Sequence, residues 1–181
     1  MTEKVESVRT NDPAYHKLLD SDSRPVPDSY RRDSPIGPGP TFVPVSRYTD
    51  KAFHDLEVEK VWKRVWQMAC HEDDLPGVGD FVPYDIAGSS FLIVRTTQNE
   101  IKAYYNACLH RGRKLRENRG KAATELRCPF HGWTWNLNGS LRQIPCQWDY
   151  PSLKMEEQSL PEVKVGTWGR FIFINPDPDC E

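Results

Sequence analysis

The sequence predicts a mainly β protein: a small antiparallel barrel or sandwich that follows an N-terminal amphipathic helix and a Pro-rich extended arm. Three observations carry this prediction. Prolines crowd the first 44 residues, apolar residues then recur at helical spacing, and after residue 79 short runs alternate between apolar and polar residues. The length of 181 residues is enough for one domain with a hydrophobic core and appendages.

Residues 1–44 are expected to form the extended or disordered arm. Seven prolines interrupt this segment, and mostly charged or small residues separate them. The segment therefore offers little apolar surface to offset the entropy of ordering. The expectation for the isolated chain is disorder, and in an assembly the arm would dock on a neighbouring subunit.

A helical lead-in is expected at 45–75, with its helix near 50–68. Thr49 or Asp50 is the expected N-cap, because either side chain can accept a hydrogen bond from the first helical turn. Charged residues separate the apolar ones, as in an amphipathic helix, and the tryptophans are assigned to the core. The apolar set is Phe53, Leu56, Val58, Val61, Trp62, Val65 and Trp66.

The third predicted segment, 76–181, holds the strands. Asn138-Gly139 lies between two of them and predicts a type I′ hairpin turn, since both residues accept a positive φ. Gln98-Asn99 predicts a second, weaker hairpin turn. Strands are expected at 80–86, 90–95, 101–106, 125–128, 132–136, 140–144, 162–168 and 170–175.

Composition excludes several classes of function. The net charge of −2 predicts no bulk attraction to nucleic acid or to a membrane. The N-terminus lacks the apolar core of a secretory signal, and the longest apolar runs are too short to span a bilayer. Five cysteines is an odd number without framework spacing, so we expect free thiols in a reducing cytoplasm.

Two short motifs predict a metal centre. Cys108 and His110 form the first, Cys128 and His131 form the second, and seventeen residues separate them. Two thiolates and two imidazoles suit a [2Fe–2S] cluster whose irons take unlike ligands, two sulfurs on one iron and two nitrogens on the other. The main alternative is a structural zinc site with the same four ligands, although zinc modules usually open with a Cys-x-x-Cys knuckle.

Residues next to the four candidate ligands are expected to help bind the cofactor. Gly112 and Gly132 follow the histidines closely and allow backbone conformations beside the metal that other residues resist. Trp133 can shield the centre from water and donate its indole N–H.

From about residue 48 to residue 178 the sequence resembles the large (α) subunits of Rieske non-haem iron ring-hydroxylating oxygenases. The matching stretches are 57–66, 71–81, 106–112, 128–135 and 168–175. The resemblance implies an oxidoreductase component whose Rieske cluster relays electrons during O₂- and NAD(P)H-dependent hydroxylation in aromatic hydrocarbon catabolism. It also adds Arg111 to the expected cofactor-binding residues, because this arginine recurs in the family motif.

The resemblance also implies partners and a missing site. Electrons would come from a ferredoxin or a reductase, and the full-length protein would be a homotrimer, with or without a β subunit. The family's catalytic domain binds mononuclear Fe(II) through a His-x₄₋₅-His run and a carboxylate, whereas the five histidines of this chain include no such pair. We therefore expect an N-terminal fragment without catalytic residues, which does not hydroxylate a substrate alone.

Alternatives remain open at this point. A stand-alone Rieske ferredoxin would be a soluble electron carrier without a substrate, although such carriers normally lack the helix and the arm. A zinc-stabilised interaction module would be colourless. The basic segment 111–127 either steers an acidic electron donor or is a solvated loop.

Overall fold

The computed structural model of the protein describes residues 13–31 and 42–180. The chain divides into two compact units, Met1–Thr49 and Asp50–Glu181. The described part of the first unit contains α1 at Pro13–Asp20, α2 at Asp28–Arg31 and α3 at Ser46–Thr49. In the described ranges no helix has the length and apolar character needed to cross a bilayer.

Helices α1 and α2 lie in the segment predicted to be an extended or disordered arm. The Ser21 N–H donates to the Lys17 carbonyl oxygen at 3.0 Å, and Arg31 pairs with the Asp20 carboxylate at 2.9 Å. These helices correct the prediction for the residues that they span, where extended chain was expected. Their described side chains are mostly exposed, so local hydrogen bonds and the ion pair stabilise them more than burial does. The rest of the predicted arm, at 1–12 and 32–41, lies outside the described residues.

The second unit begins with a helix that is shorter than predicted. Helix α4 spans Lys51–Glu57, and Asp50 is its N-cap, with a side chain that accepts a hydrogen bond from the Ala52 N–H at 2.9 Å. One π-helical turn follows at Val58–Trp62, and the strand β1 then occupies Gln67–His71. The predicted helix near 50–68 is therefore wrong after residue 62, and in the rest of the predicted lead-in a 3₁₀ helix is present at Glu72–Asp74.

Tertiary pairing explains this difference. The backbone of β1 pairs antiparallel with β9, which spans Phe171–Asn175, and a helical period in the local sequence carries no information about so distant a partner. The tryptophans assigned to the core, and the apolar face to which they belong, are also less buried than expected. Leu56 is exposed, and the Trp66 ring lies against Gly166 but remains 38% exposed.

The other strands confirm the predicted fold class. Their bounds are β2 Phe81–Ile86, β3 Ser89–Thr97, β4 Glu100–Tyr105, β5 Leu126–Arg127, β6 Thr134–Trp135, β7 Leu141–Gln143 and β8 Glu162–Trp168. Six strands form an antiparallel sheet in the order β1-β9-β8-β4-β3-β2, and three form a smaller antiparallel sheet in the order β5-β6-β7. Each of the eight predicted strands is present, and β1 is the one that the sequence analysis missed.

One hairpin turn differs from its prediction. At Asn138-Gly139 the Gly139 N–H donates to the Asn136 carbonyl at 3.0 Å, and a positive φ occurs at Gly139 (+87°) but not at Asn138. This is a three-residue loop with a bulge, not a type I′ turn. Positive φ at both central residues occurs instead at Ala87-Gly88 and Gly169-Arg170. Gln98-Asn99 connects β3 to β4 as predicted.

The core is divided between the two faces of the larger sheet. Along β3, Phe91 and Ile93 belong to one buried cluster, whereas Leu92 and Val94 belong to the other, as the alternation of side chains across a strand requires. The second cluster also contains Trp133 and Trp135 and the two candidate ligands Cys108 and Cys128. The smaller sheet and the candidate metal centre are thus packed on one face of the larger sheet.

Residues 79–81 tie the segment before β5 to the larger sheet. The Gly79 carbonyl accepts from the Ala123 N–H at 3.0 Å, and the Phe81 N–H donates to the Gly120 carbonyl at 3.0 Å. The buried Asp80 carboxylate accepts from the Gly77 N–H and the Ala122 N–H, each at 2.9 Å. Residues 120–123, which precede β5 and the candidate ligand Cys128, are therefore held in place against the larger sheet.

Replacing Asp80 with asparagine is expected to lower the free energy of unfolding at neutral pH. It should also make that free energy depend less on pH in the acid range. The N–H groups of Ala122 and Gly77 lower the pKa of the Asp80 carboxyl. Its contribution to stability is therefore complete above the unfolded-state pKa of about 3.9 and is lost as the pH falls through the lower folded-state value. The asparagine amide leaves one of the two donors unpaired, at a cost of about 1–3 kcal/mol.

The measurement is urea denaturation of both proteins at pH 7 and near pH 3. The free energy of unfolding of the wild type should fall more steeply between these pH values than that of Asp80→Asn. Parallel pH profiles would show that the Asp80 carboxylate does not hold this segment.

Candidate metal centre

Two loops of the same design carry the four candidate ligands. Loop 1 runs from Cys108 to Arg113 after β4, and loop 2 runs from Cys128 to Trp133 between β5 and β6. In each loop the cysteine N–H donates to the carbonyl oxygen of the last loop residue, at 2.9 Å in loop 1 and 2.8 Å in loop 2. The glycine N–H then donates back to the cysteine carbonyl, at 2.8 and 3.2 Å respectively.

The loop glycines need their backbone freedom. Gly112 has φ +71° and Gly132 has φ +74°, in the left-handed region that other residues adopt at a cost. At Gly132 a Cβ atom would also lie 3.2 Å from Pro145 and 3.3 Å from the Arg127 side chain. Position 132 therefore requires glycine for conformation and has little space for a side chain.

The loops bring the four candidate ligands together as two pairs. The sulfur atoms of Cys108 and Cys128 are close enough to interact, and both side chains are buried in the core. The imidazole rings of His110 and His131 lie with their centroids 4.7 Å apart. In the described part of the chain, no three His, Cys, Asp or Glu side chains are placed to hold a single metal ion. The sulfur pair is the inner one, and the imidazole pair is nearer the surface.

Burial affects the protonation of the two kinds of candidate ligand in opposite ways for metal binding. Burial, together with the neighbouring Cys128 sulfur, raises the pKa of the Cys108 thiol to about 11, so a metal must displace its proton on binding. Burial and the positive charges of His131 and Arg111 lower the pKa of His110. At neutral pH the His110 ring is therefore uncharged, which is the form that a metal requires.

Aromatic side chains surround the two histidines unequally. The Trp133 ring stacks on His110 with centroids 5.1 Å apart and planes 3° apart. The Tyr150 hydroxyl lies 3.3 Å from Nε2 of His110, which leaves Nδ1 of that ring for a metal. His131 is exposed, and its ring contacts Phe130, which is also exposed, at a centroid distance of 3.7 Å.

One buried donor points to what the site can accept. Among the buried side-chain nitrogen and oxygen atoms of the described residues, one has no hydrogen-bond partner: the indole Nε1 of Trp135. It faces the Cys108 sulfur, where it favours the thiolate. An unpaired buried donor is unfavourable, and a metal-bound thiolate or a bridging sulfide would be a good acceptor. The donor set and this orphaned N–H both fit a [2Fe–2S] cluster.

Asn106 fixes loop 1 from inside the protein. Its Oδ1 accepts from the N–H groups of Leu115 and Arg116 at 3.1 and 3.0 Å. Its Nδ2 donates to the Arg116 carbonyl at 2.7 Å and to Ser90 Oγ at 3.1 Å. This side chain is 1% exposed, and both its amide oxygen and its amide nitrogen make hydrogen bonds. Asn106 therefore joins the residues on either side of loop 1.

Three of the seven basic residues in the segment 111–127 form local ion pairs. Arg113 pairs with Glu117 at 2.9 Å, Lys114 with Asp85 at 2.8 Å and Arg119 with Asp74 at 3.2 Å. Arg111 and Arg127, which adjoin candidate ligands, are exposed. Of the two interpretations left open for this segment, steering of a donor would therefore depend mainly on the exposed arginines beside the loops.

The structure brings together the ligands that the spacing predicts, and it adds residues that the sequence analysis missed. Trp133 lies against His110 as a shield, but the buried indole without a partner belongs to Trp135. Two-residue alternation along the strand could have found Trp135, since it shares a face with Trp133. No local pattern connects Tyr150 with His110, which lie far apart in the sequence.

Residues 65–155 match the family model of the Rieske [2Fe–2S] domain. The chain is 31% identical over 138 residues to the carnitine monooxygenase oxygenase subunit of Escherichia coli (strain K12), which covers 76% of this chain and 37% of that protein. It is 32% identical over 134 residues to the biphenyl 2,3-dioxygenase subunit alpha of Rhodococcus jostii (strain RHA1), which covers 74% of this chain and 29% of that protein.

The fold is similar to that of a quaternary ammonium Rieske monooxygenase of known structure. The TM-score is 0.71 with 30% sequence identity, over 76% of this chain and 38% of that chain. That structure concerns carnitine oxidation by gut microbiota and inter-subunit electron transfer. This chain therefore spans about a third of the length of the relatives that it matches.

Proposed function

The chain belongs to the Rieske [2Fe–2S] domain family, and we propose that it serves as the electron-relay part of a ring-hydroxylating oxygenase large subunit. The observation that carries this proposal is the arrangement of the two loops, which pair the two cysteines in the core and the two histidines above them. The family match gives no support to the zinc-stabilised interaction module.

The ligand assignment follows from the two pairs. Cys108 and Cys128 would hold the inner iron, and His110 and His131 would hold the outer one. When bound, the [2Fe–2S] cluster supplies one-electron transfer at a potential raised by its two neutral imidazole ligands. The Nε1–H of Trp135 supports this assignment, because it has no hydrogen-bond partner among the described residues and faces the Cys108 sulfur, where a metal-bound thiolate would accept from it.

The other predicted site residues act on the ligands and not on a substrate. Gly112 and Gly132 allow the two loop conformations, and Trp133 keeps water from the His110 ring. Arg111, exposed beside His110, would contribute positive charge at the rim and lower the pKa of that ring. These roles position, shield and tune the centre, so we assign no catalytic residue to this chain.

We assign His131 as the imidazole that a partner reaches. His110 is half-buried between the Trp133 ring and the Tyr150 hydroxyl, whereas His131 is exposed at the tip of loop 2. An electron acceptor that docks on this face therefore meets His131 first. The exposed Arg111 of loop 1 and Arg127, which directly precedes loop 2, favour an acidic electron donor, such as a ferredoxin or a reductase.

The larger assembly is part of the proposal. In it, this chain would work beside a catalytic domain with mononuclear Fe(II), in a homotrimer with or without a β subunit, and the assembly would use O₂ and NAD(P)H. The relatives named above act on carnitine and on biphenyl, and we keep aromatic hydrocarbons as the proposed substrate class. Five free cysteines support a location in the reducing cytoplasm.

The test is anaerobic reconstitution with iron and sulfide. We expect about two irons and two acid-labile sulfides per chain, a red-brown colour, and a rhombic electron paramagnetic resonance signal after reduction. A colourless protein that binds zinc and takes up no sulfide would contradict the proposal.

A further inference from the structure

We propose that Arg116 is a positioning residue of this centre: it clamps the two ligand loops together, and its positive charge raises the reduction potential of the cluster. The inference rests on the function proposed above, because it takes Cys128 to be an iron ligand. Arg116 lies outside the family motif, and no pattern in the sequence distinguishes it from the other basic residues of its segment.

The clamp is made of hydrogen bonds to the backbone on both sides. Asn106, which precedes loop 1, holds the backbone N–H and carbonyl of Arg116. The Arg116 guanidinium donates to the Arg127 carbonyl at 2.8 Å and to the Glu125 carbonyl at 3.1 Å. Arg127 directly precedes Cys128, so Arg116, together with Asn106, connects the start of loop 1 to the start of loop 2.

The guanidinium is suited to this position in shape. Its planar fork reaches the carbonyl of Leu115 at 2.8 Å in addition to the two on the far side, and it lies over the Phe81 ring at 5.1 Å from the centroid. A lysine carries the same charge on a single nitrogen and cannot reproduce the fork. The fork and the charge can therefore be separated by substitution.

The charge lies beside Cys128, one member of the inner ligand pair. Arg116 lines the same cleft as Cys128 and His131 and is half-buried there. Burial lowers the pKa of Arg116, while the negative charges of Cys128 and Glu125 act in the opposite direction, and an arginine remains charged at neutral pH. The Glu125 carboxylate is itself paired with Arg142 at 3.1 Å, so it neutralises Arg116 only in part.

The sign of the effect follows from the charge that reduction adds. One electron makes the centre more negative by one unit, and a cation with limited water around it stabilises the reduced form more than the oxidised form. Removal of the cation therefore favours the oxidised form. We expect Arg116→Gln to lower the equilibrium constant for reduction about tenfold, which is about 59 mV for a one-electron couple.

The test is a redox titration of the reconstituted protein and three variants. Arg116→Gln should show the lowered potential. Arg116→Lys should keep a potential near that of the wild type but lose its cluster several-fold faster, because the charge remains and the fork is lost. Arg119→Gln is the matched control: it removes an exposed arginine of the same segment, which pairs with Asp74, and should leave both quantities unchanged.

An unchanged potential in Arg116→Gln, or an equal drop in Arg119→Gln, would overturn the tuning role. If neither Arg116 variant takes up a cluster, the test is hydrogen exchange of the Cys128 and Gly132 amides in the cluster-free proteins. Faster exchange in the variants than in the cluster-free wild type supports the clamp, and equal exchange overturns it. Failure of the wild type to bind iron and sulfide would instead contradict the proposed function, so the two failures are distinguishable.

Discussion

Cys128→Ala is expected to abolish cluster binding, with the iron and sulfide content falling from about two of each per chain to nearly none. Cys128 is buried beside Cys108, and its loop is closed by backbone hydrogen bonds at both ends. No other cysteine of the chain belongs to either loop, so none can replace the lost sulfur without refolding the loop. The inner iron would keep one protein ligand, which is too few to hold it.

Cys146→Ala is the control for this experiment. Cys146 is an exposed free thiol outside both loops, and its replacement also removes one sulfur. We expect Cys146→Ala to retain the full iron and sulfide content and the visible absorption of the wild type. Far-UV circular dichroism of both variants checks that the sheets remain. A full cluster in Cys128→Ala, with the fold intact, would remove Cys128 from the ligand set.

Gly79→Ala is expected to cause the largest loss of stability among glycine-to-alanine changes at the glycines that the structure describes. Gly79 has φ +84°, and a Cβ atom there would lie 2.1 Å from the Ala123 carbonyl oxygen and 2.7 Å from its nitrogen. The left-handed conformation costs about 1–2 kcal/mol with a side chain, and overpacking adds about 1–3 kcal/mol. Because the obstructing atoms are backbone, the clash cannot be relieved by turning a side chain.

Gly88→Ala separates the two contributions. Gly88 has φ +78°, almost the same as Gly79, but a Cβ atom there would meet nothing within 4 Å beyond its own chain neighbours. Its variant should therefore lose only the conformational part, about 1–2 kcal/mol. Urea denaturation of both variants measures the difference. Equal losses would show that residues 79 and 123 are not held together as the structure has them.

Gly79→Ala should also disturb the candidate metal centre. Ala123 pairs with Gly79 through its N–H at 3.0 Å, and the chain from Ala123 leads through β5 into loop 2. Displacement of this segment would shift Cys128 relative to Cys108. We therefore expect Gly79→Ala to bind less cluster than Gly88→Ala, although neither residue touches a candidate ligand.

The strands show how far local patterns carry a prediction. Alternation of apolar and polar residues sets which side chains can face a core, and this depends only on neighbours along the chain. The eight expected strands are therefore present, and so is the N-cap at Asp50. The helix near 50–68 failed after residue 62, because β1 owes its conformation to β9 at the other end of the chain.

The turn conformations also depend on strand pairing that the local residues do not reveal. Asn138-Gly139 has the residues of a type I′ turn, but the pairing of β6 with β7 requires a longer loop with a bulge. Ala87-Gly88 and Gly169-Arg170 adopt positive φ at both positions although Ala87 and Arg170 do not favour it. There the register of the flanking strands decides the conformation, at some local cost.

What the sequence by itself determined is the metal chemistry: two cysteines and two histidines at fixed spacing in two short loops, each with a glycine where the chain must turn. Ligand type and spacing are local properties, so they can be read without a fold. Only the tertiary structure decided the environment of those candidate ligands, namely the buried Trp135 donor, the Tyr150 hydroxyl beside His110 and the hydrogen bonds of Arg116. These contacts join residues that are distant in the chain, and packing alone brings them together.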